Sequence, residues 1–316
     1  IINQAGRDVI VPRISEDTAN ALAAAAKAPP PPVARSWALK IAPPRMLIAP
    51  EADGIYYLAS FTPDGRSVLV SRTRDGGKNF TLIRLPALGG AEQVLFQREG
   101  LPATRANSAQ DGRIVFNAGN AIWVMDADGG NARAVPLKDM IAPFYASWYP
   151  DGKSAAFVDG AKNILYRADI ATGAVTPLTR QAEVLAGMSR VSSDGRWIVF
   201  AGQKNSGQLY NQGDNQIWLV DDQGAARPVE ANPGQGRAPS WSPDGQRIAF
   251  ESGRGSPDGK YAIFVIHRDG SGLTQVSDYA LNGMHPTWSP DGRQIVFSTG
   301  NQPGQPGGVA VIAAPD

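Results

Sequence analysis

The sequence predicts an all-β fold: a six-bladed β-propeller of four-stranded antiparallel blades, closed by pairing of the two ends of the chain. The pentapeptide W-S-P-D-G occurs twice, at residues 241–245 and 288–292, and similar Asp-Gly turns recur at a period near 45 residues. A short apolar run follows each turn. With 35 Gly and 25 Pro in 316 residues, the composition indicates many short elements joined by tight turns.

Six of the Asp-Gly turns belong to this repeat, at spacings of 40 to 50 residues, which is the length of a four-stranded propeller blade. Asp-Gly favours hairpins because Asp bonds its own nearby backbone and Gly takes positive φ at little steric cost. We therefore interpret the aspartates as turn formers rather than as catalytic or metal-binding carboxylates. They are Asp64, Asp111, Asp151, Asp194, Asp244 and Asp291.

The remaining strands of each blade follow its turn in a fixed order. A second strand such as residues 248–250 comes first, and a third such as residues 262–266 follows a polar loop. These runs are apolar on both faces, as strands between neighbouring blades should be. A more polar fourth strand, such as residues 174–178, contains a proline and suits an outer edge.

The two ends of the chain supply one blade together. Residues 309–316 align with the third strand at 262–269, so the chain stops where a fourth strand is due. Residues 45–49 supply that strand, because Ile48 precedes its turn by the same offset as Leu178 does. Closure with three strands from one end and one from the other leaves no long inner edge exposed.

The stretch H-P-T-W-S-P-D-G-R-Q-I-V-F-S-T, at residues 285–299, resembles the WD-repeat-like propeller units of the TolB family. The resemblance covers residues 44–316; it is specific in blades 5 and 6, good in blade 3 and degenerate in the others. TolB proteins also carry an α/β domain before the propeller, for which 43 residues are too few, so the resemblance is to the propeller part only.

The resemblance implies a periplasmic or extracellular protein, its signal peptide removed, that binds an envelope or secreted protein partner without catalysis. Related propellers include lyases and appendages of hydrolases. Two alternatives therefore stay open: a propeller that binds or processes a small anionic or carbohydrate ligand in its channel, and the propeller module of a larger enzyme.

Residues 1–43 do not fit the repeat and are expected to form an N-terminal arm. Residues 15–28 read as a short helix with Ser15 as its N-cap, and Pro29–Pro32 form a stiff polyproline spacer. The arm either lies on the propeller, forms a mobile leader, or is held off the body to bind a partner.

Several functions are disfavoured by composition. A net charge of +1 gives no electrostatic case for nucleic acid or an anionic membrane, and no apolar run is long enough for a membrane helix. The chain has no Cys, no serine-hydrolase elbow, and two histidines, His267 and His285, which are too few for a multi-histidine metal site. Residues 126–130 resemble the start of a calcium loop but lack its later ligands.

These observations predict no cofactor, no catalytic residue and no metal ligand. A structural calcium ion in the channel or loops is possible but not indicated. We expect no membrane insertion, and a monomer or a component of a larger complex.

The candidate binding residues come from aligning the inner strands on their turn aspartates. The positions four before each Asp are all polar and are expected to face the central channel: Ser60, Asn107, Ser147, Arg190, Ser240 and Thr287. The predicted binding site at one channel mouth is drawn from the positions four, six and seven before each Asp. Its residues are Arg105, Tyr145, Arg190, Arg237 and His285. Arginine forks suit carboxylates of an acidic peptide or an anionic ligand.

The alternative is that these side chains pair with Glu51, Glu99 or Glu183 in the same loops. Long loops at 204–215, 253–260 and 300–308 are expected to open on the same face as the candidate mouth, where propellers usually carry specificity.

Overall fold

The computed structural model describes residues 37–75, 79–229, 234–300 and 306–315. The predicted helix at 15–28 and the spacer at 29–32 lie outside the described residues. Residues from Trp37 onward form one compact unit. No helix in the described part of the chain is both long and apolar enough to cross a membrane.

Six antiparallel sheets form the blades, numbered here along the chain. Blade 1 consists of Ile55–Phe61, Ser67–Thr73, Thr81–Pro86 and Gln93–Phe96. Blade 2 consists of Ala103–Ser108, Ile114–Ala118, Ala121–Met125 and Arg133–Ala134. Blade 3 consists of Pro143–Trp148, Ser154–Asp159, Ile164–Asp169 and Val175–Pro177.

The second half of the chain repeats this pattern. Blade 4 consists of Val184–Val191, Trp197–Lys204, Gln216–Asp221 and Ala226–Pro228. Blade 5 consists of Arg237–Trp241, Arg247–Ser252, Ala262–His267 and Thr274–Gln275. Blade 6 consists of Met284–Trp288, Gln294–Thr299, Gly307–Ala313 and Arg45–Glu51. Short 3-10 helices occur at Gln212–Asp214 and Tyr279–Leu281.

The predicted closure is confirmed in blade 6. Arg45–Glu51, from the N-terminal side, pairs antiparallel with Gly307–Ala313, with Arg45 opposite Val311. The six-bladed, all-β prediction is therefore correct.

Blade 5 carries one strand that the sequence did not indicate. Ala38–Leu39 pairs in parallel with Thr274–Gln275, and the Ala38 N–H donates to Leu273 O at 3.0 Å. The Trp37 ring meets Phe264 edge-on, with centroids 5.7 Å apart. Residues immediately before the repeat thus cover the outer edge of blade 5, which would otherwise be open to pairing.

The core lies between the blades. One position of the second strand holds a fully buried phenylalanine in five blades, and each of these rings packs in an inter-blade cluster. Burying such a side chain contributes about 1.5–3 kcal/mol. These residues are Phe116, Phe157, Phe200, Phe250 and Phe297.

The six Asp-Gly turns have the predicted structural role. In each, the Asp Oδ1 accepts the backbone N–H two residues later, at 2.8–3.1 Å. The following glycine has φ between 61° and 89°, which a side chain would strain. The hydrogen bond from the Ser192 hydroxyl, followed by those from the Arg196 backbone and side chain, lowers the pKa of Asp194 to about 2.

Every inner strand carries a bulge at the same place. The pairing register shifts between the positions seven and four before the turn Asp in five blades, and at the equivalent Gly187–Ser189 in blade 4. Bulges redirect side chains, and a non-glycine residue with positive φ costs about 1–2 kcal/mol. The residue six before Asp has positive φ in five blades: Leu58, Arg105, Tyr145, Ala238 and His285.

Candidate functional site

The bulge residues close the central channel. Leu58, Tyr145, Met188 and Ala238, from four blades, are at most 5% exposed and pack together with Ala201 as an axial cluster. The gap beside them has no room for a water molecule. The cluster therefore divides the channel into a loop-side mouth, near the start of the inner strands, and a turn-side funnel near the Asp-Gly turns.

Arg105 lies at the loop-side mouth, with its guanidinium over two aromatic rings. Its guanidinium carbon is 4.7 Å from the ring centre of Tyr145 and 5.9 Å from that of Phe144. A pocket of about 380 Å³ beside it is lined by Tyr57, Phe80, Phe144 and polar groups that include Asn117. Arg105 is half-buried and forms no ion pair with any residue in the described ranges. It can therefore accept an external carboxylate, and the rings beside it suit an aromatic or apolar neighbour.

Arg237, in contrast, is engaged within its own blade. Its Nε lies 3.3 Å from Glu251 Oε1 on the neighbouring strand, and its Nη1 donates to the Tyr261 hydroxyl at 2.9 Å. Glu251 is fully buried, and its Oε2 accepts the backbone N–H of His285 at 2.7 Å. The charge of Arg237 is thus largely committed to holding Glu251.

His285 is 5% exposed and meets the Tyr57 ring edge-on at 5.5 Å. Its Nδ1 lies 3.4 Å from Ser298 Oγ. Burial is the main cause that lowers the pKa of His285 to about 3, and the nearby charges of Arg105, Arg237 and Arg190 contribute to this value. The imidazole is consequently neutral at physiological pH and supports the mouth from behind Tyr57.

Burial also sets the protonation of the other titratable groups at this mouth. It raises the pKa of the Tyr145 phenol, against the opposing effect of Arg105. It raises the pKa of Glu251, although Arg237 and the His285 N–H favour the charged carboxylate.

The loop after the second strand of blade 4 contributes to the same face. The Tyr210 hydroxyl sits over Gly187 so closely that a Cβ there would lie 2.1 Å from it, and Asn215 donates to that hydroxyl at 2.8 Å. The adjacent Leu209 is 91% exposed, and Ile141, before the inner strand of blade 3, is 65% exposed. Both apolar side chains lie in loops that open on the loop side.

Arg190 does not join the other four predicted residues. It borders the axial cluster and also lines a funnel on the turn side, of about 430 Å³, to which all six blades contribute. The pocket at the loop-side mouth shares no lining residue with this funnel. Five of the six polar column residues line the funnel, whereas Ser60 instead donates to Ala106 O at 2.9 Å.

Among the described residues, Arg237 alone of the candidate arginines pairs with a carboxylate, and its partner is Glu251 rather than Glu51, Glu99 or Glu183. Glu51 pairs with Arg74, and Glu183 with Arg180. Residues that the sequence did not single out, Tyr57, Phe144 and Glu251, complete the loop-side mouth. Tyr57 and Phe144 stand seven before their turn aspartates, the position of Arg237, so the same alignment could have found them. Among the described residues, no group of three or more His, Asp or Glu side chains could hold a metal ion.

Comparison with known proteins supports the propeller fold. Residues 208–308 match the family model for the TolB beta propeller domain. A TolB homolog of Chlorobium chlorochromatii is 29% identical over 225 residues, which cover 54% of this chain and 48% of that protein. This chain contains a TolB-like β-propeller. The match thus spans about half the length of the Chlorobium protein.

Solved structures share the fold. A putative TolB from Agrobacterium tumefaciens superposes with a TM-score of 0.60 at 21% identity, over 83% of this chain and 91% of the other. An oligogalacturonate lyase in complex with manganese gives a TM-score of 0.56 at 12% identity, over 88% and 99%. At these identities the likeness shows the propeller fold alone, and fold does not determine function.

Proposed function

We propose that this TolB-like propeller is a binding protein of the bacterial envelope that takes an acidic segment of a protein partner at its loop-side mouth. The observation that carries the proposal is Arg105. Its guanidinium rests on Tyr145 and Phe144, faces a pocket of about 380 Å³, and has no carboxylate partner in the described part of the chain. The TolB relatives support an envelope location.

The surroundings of Arg105 fit a peptide better than a free ion. Tyr57, Phe80 and Phe144 offer ring faces and edges for an apolar side chain next to the acidic one. Arginine and tyrosine are enriched among residues that dominate binding energy at protein interfaces. The exposed Leu209 and Ile141 extend the apolar area around the mouth.

The lysines of the propeller allow the contact face to be mapped by cross-linking. Lys162, Lys204 and Lys260 lie at or beyond the ends of second strands, on the loop side, whereas Lys153 lies in an Asp-Gly turn on the opposite side. The full chain is captured with amine cross-linker from native envelope extract, and the linked lysines are read by mass spectrometry. We expect one recurrent partner linked through loop-side lysines, and links confined to Lys153 would contradict the proposal.

A direct binding measurement then isolates Arg105. Peptides from the linked partner segment, with their acidic residues intact or replaced by amides, are titrated by fluorescence anisotropy against the full chain. Arg105→Gln is expected to weaken the acidic peptide about ten- to hundredfold, the range for one charge-assisted contact. Arg196→Gln, on the turn side and largely exposed, is the matched control and should leave the affinity unchanged. Equal affinity of both variants would remove Arg105 from the interface.

The likeness to oligogalacturonate lyase favours a second candidate, a propeller that processes an acidic sugar chain at this mouth. Arg105 could hold a uronate carboxylate beside Tyr57, which contacts the neutral His285. Incubation with oligogalacturonate, with and without manganese, tests it through the ultraviolet absorbance of an unsaturated product. Product formation that Tyr57→Phe abolishes would favour this candidate over partner binding.

A further inference from the structure

The turn-side funnel contains a buried charge that has no carboxylate partner in the part of the chain that the structure describes. Arg190 is 7% exposed, and it occupies the one position in the polar column where the other blades have Ser, Thr or Asn. One of its terminal nitrogens, Nη1, is buried without a hydrogen bond, and no carboxylate of the described residues pairs with it. A buried cation in this state costs several kcal/mol unless something outside the chain compensates it.

The walls of the funnel leave that charge uncompensated. The residues lining it include no Asp, Glu or Lys, and Arg190 is the sole arginine among them. The turn aspartates follow the lining residues in sequence, but their oxygens accept the turn amides, and three of them also pair with local arginines. The funnel is therefore a concave chamber with a single positive centre.

Other groups in the funnel also lack partners. The hydroxyls of Ser108, Ser240 and Thr287 are buried without a hydrogen bond, and all three residues line the funnel together with Arg190. The amide of Asn107 and the hydroxyl of Ser147 complete the polar ring, the latter already accepting the Val191 N–H at 3.1 Å. Buried polar groups in native proteins almost always have partners, so hydroxyls without partners in the described chain, grouped around one cation, are suited to bind an external polar group.

We propose that the turn-side funnel is a binding site for a single carboxylate group, held by the Arg190 guanidinium and the surrounding hydroxyls. One guanidinium matches one carboxylate in charge and in planar two-point geometry. Hydroxyls, which both donate and accept, can satisfy the remaining lone pairs. This site is separate from the loop-side mouth and does not depend on the function proposed there.

The volume limits what can carry the carboxylate. About 430 Å³ admits a small organic acid or the last residues of a peptide, and the axial cluster prevents a chain from threading through. Both sources share the same chemistry, so they are distinguished by experiment.

Thermal unfolding of the full chain with paired probes tests the site. The probes are acetate against acetamide for a small acid, and triglycine acid against triglycine amide for a peptide end, all at ionic strength matched with chloride. At about a hundred times Kd, a ligand is expected to raise Tm by about 5 °C. We expect a rise with at least one acid and none with its neutral counterpart, and the responding pair identifies the source.

Variants then locate the effect. Arg190→Met is expected to abolish the acid-dependent rise, and Ser240→Ala with Thr287→Val, two mild changes, to weaken the acid about three- to tenfold. Arg196→Gln, at an exposed position of an Asp-Gly turn, is the matched control and should keep the full rise. The proposal is overturned if neither acid shifts Tm beyond its neutral counterpart, or if the rise survives in Arg190→Met. Loss of the rise in Arg105→Gln, together with its retention in the double variant, would place the carboxylate at the loop-side mouth and would also overturn the proposal.

Discussion

The buried carboxylate of Glu251 in blade 5 accepts the backbone N–H of His285, the bulge residue of blade 6, at 2.7 Å. The same relationship joins blades 2 and 3, where Asn117 Oδ1 accepts the N–H of the bulge residue Tyr145 at 3.1 Å. In both cases the acceptor stands on the second strand opposite the start of the bulge in its own blade. A polar side chain of one blade thus fixes the bulge of the next, and the bulges form the floor of the loop-side mouth.

Replacing Glu251 should distinguish its hydrogen bond from its charge. Glu251→Ala leaves the His285 N–H and Arg237 without their acceptor, and we expect a loss of about 3–5 kcal/mol in the free energy of unfolding. Glu251→Gln keeps an acceptor oxygen and should lose clearly less. Urea unfolding at neutral pH measures both, with the exposed Glu183→Ala as control, which should change stability by less than about 1 kcal/mol. Equal losses for Ala and Gln would mean that the charge alone matters.

His285 should make stability fall as the solution is acidified. Its pKa is lowered to about 3 in the folded protein, against an ordinary value of 6.5 that the unfolded chain recovers. Between these pH values His285 binds a proton in the unfolded state but not in the folded state. Its contribution to stability is therefore fully present above pH 6.5 and declines as the pH falls toward 3. By pH 5 the decline amounts to about 2 kcal/mol.

The variant His285→Asn isolates this contribution, because Asn tolerates the positive φ of 54° and does not titrate. Urea midpoints at pH 7 and pH 5 should differ less in this variant than in the parent protein. His267→Gln, at an exposed position, should retain the parental difference. A parental slope in His285→Asn would show that other groups cause the acid sensitivity.

The bulge backbone predicts an unusual tolerance for glycine at Ala238. Its φ is 45°, where alanine is strained and glycine is not, and this offsets the loss of one methyl from the axial cluster. We expect Ala238→Gly to change the free energy of unfolding by less than about 0.5 kcal/mol, whereas Ala249→Gly, in a regular buried strand, should lose at least about 1 kcal/mol. Similar losses at both sites would show that the bulge carries no strain.

The fold could be predicted from the sequence because the features that determine it are local and repeated. Asp-Gly turns bond their own backbone, and the alternation of turn and apolar run fixes strand order, so closure through residues 45–49 followed from one offset. The strand Ala38–Leu39 was not readable, since two residues carry no periodicity and their pairing depends on an edge more than 230 residues away.

The site was readable only in part, because its decisive feature is not in the residue types. The alignment placed Arg105, Tyr145, Arg190, Arg237 and His285 near the channel axis, but it treated the channel as open. Because of the bulge, neighbouring positions face different chambers. The apolar side chains of Leu58 and Met188 pack in the axial cluster that separates the two chambers. Glu251 was missed because a carboxylate on a second strand reads as a surface residue until the neighbouring blade covers it.

Arg190 should reduce the stability of the protein that carries it. Its buried guanidinium has no ionic partner among the described residues, and burial lowers its pKa to about 10. Arg190→Met keeps much of the side-chain volume and removes the desolvated charge, so we expect the free energy of unfolding to rise by about 1–4 kcal/mol in the absence of added acids. Urea unfolding in chloride buffer measures this, with Arg196→Met as the exposed control, which should stay within about 0.5 kcal/mol of the parent. A loss of stability in Arg190→Met would mean that the guanidinium contributes to folding through its packing, and the proposed carboxylate site would lose its energetic basis.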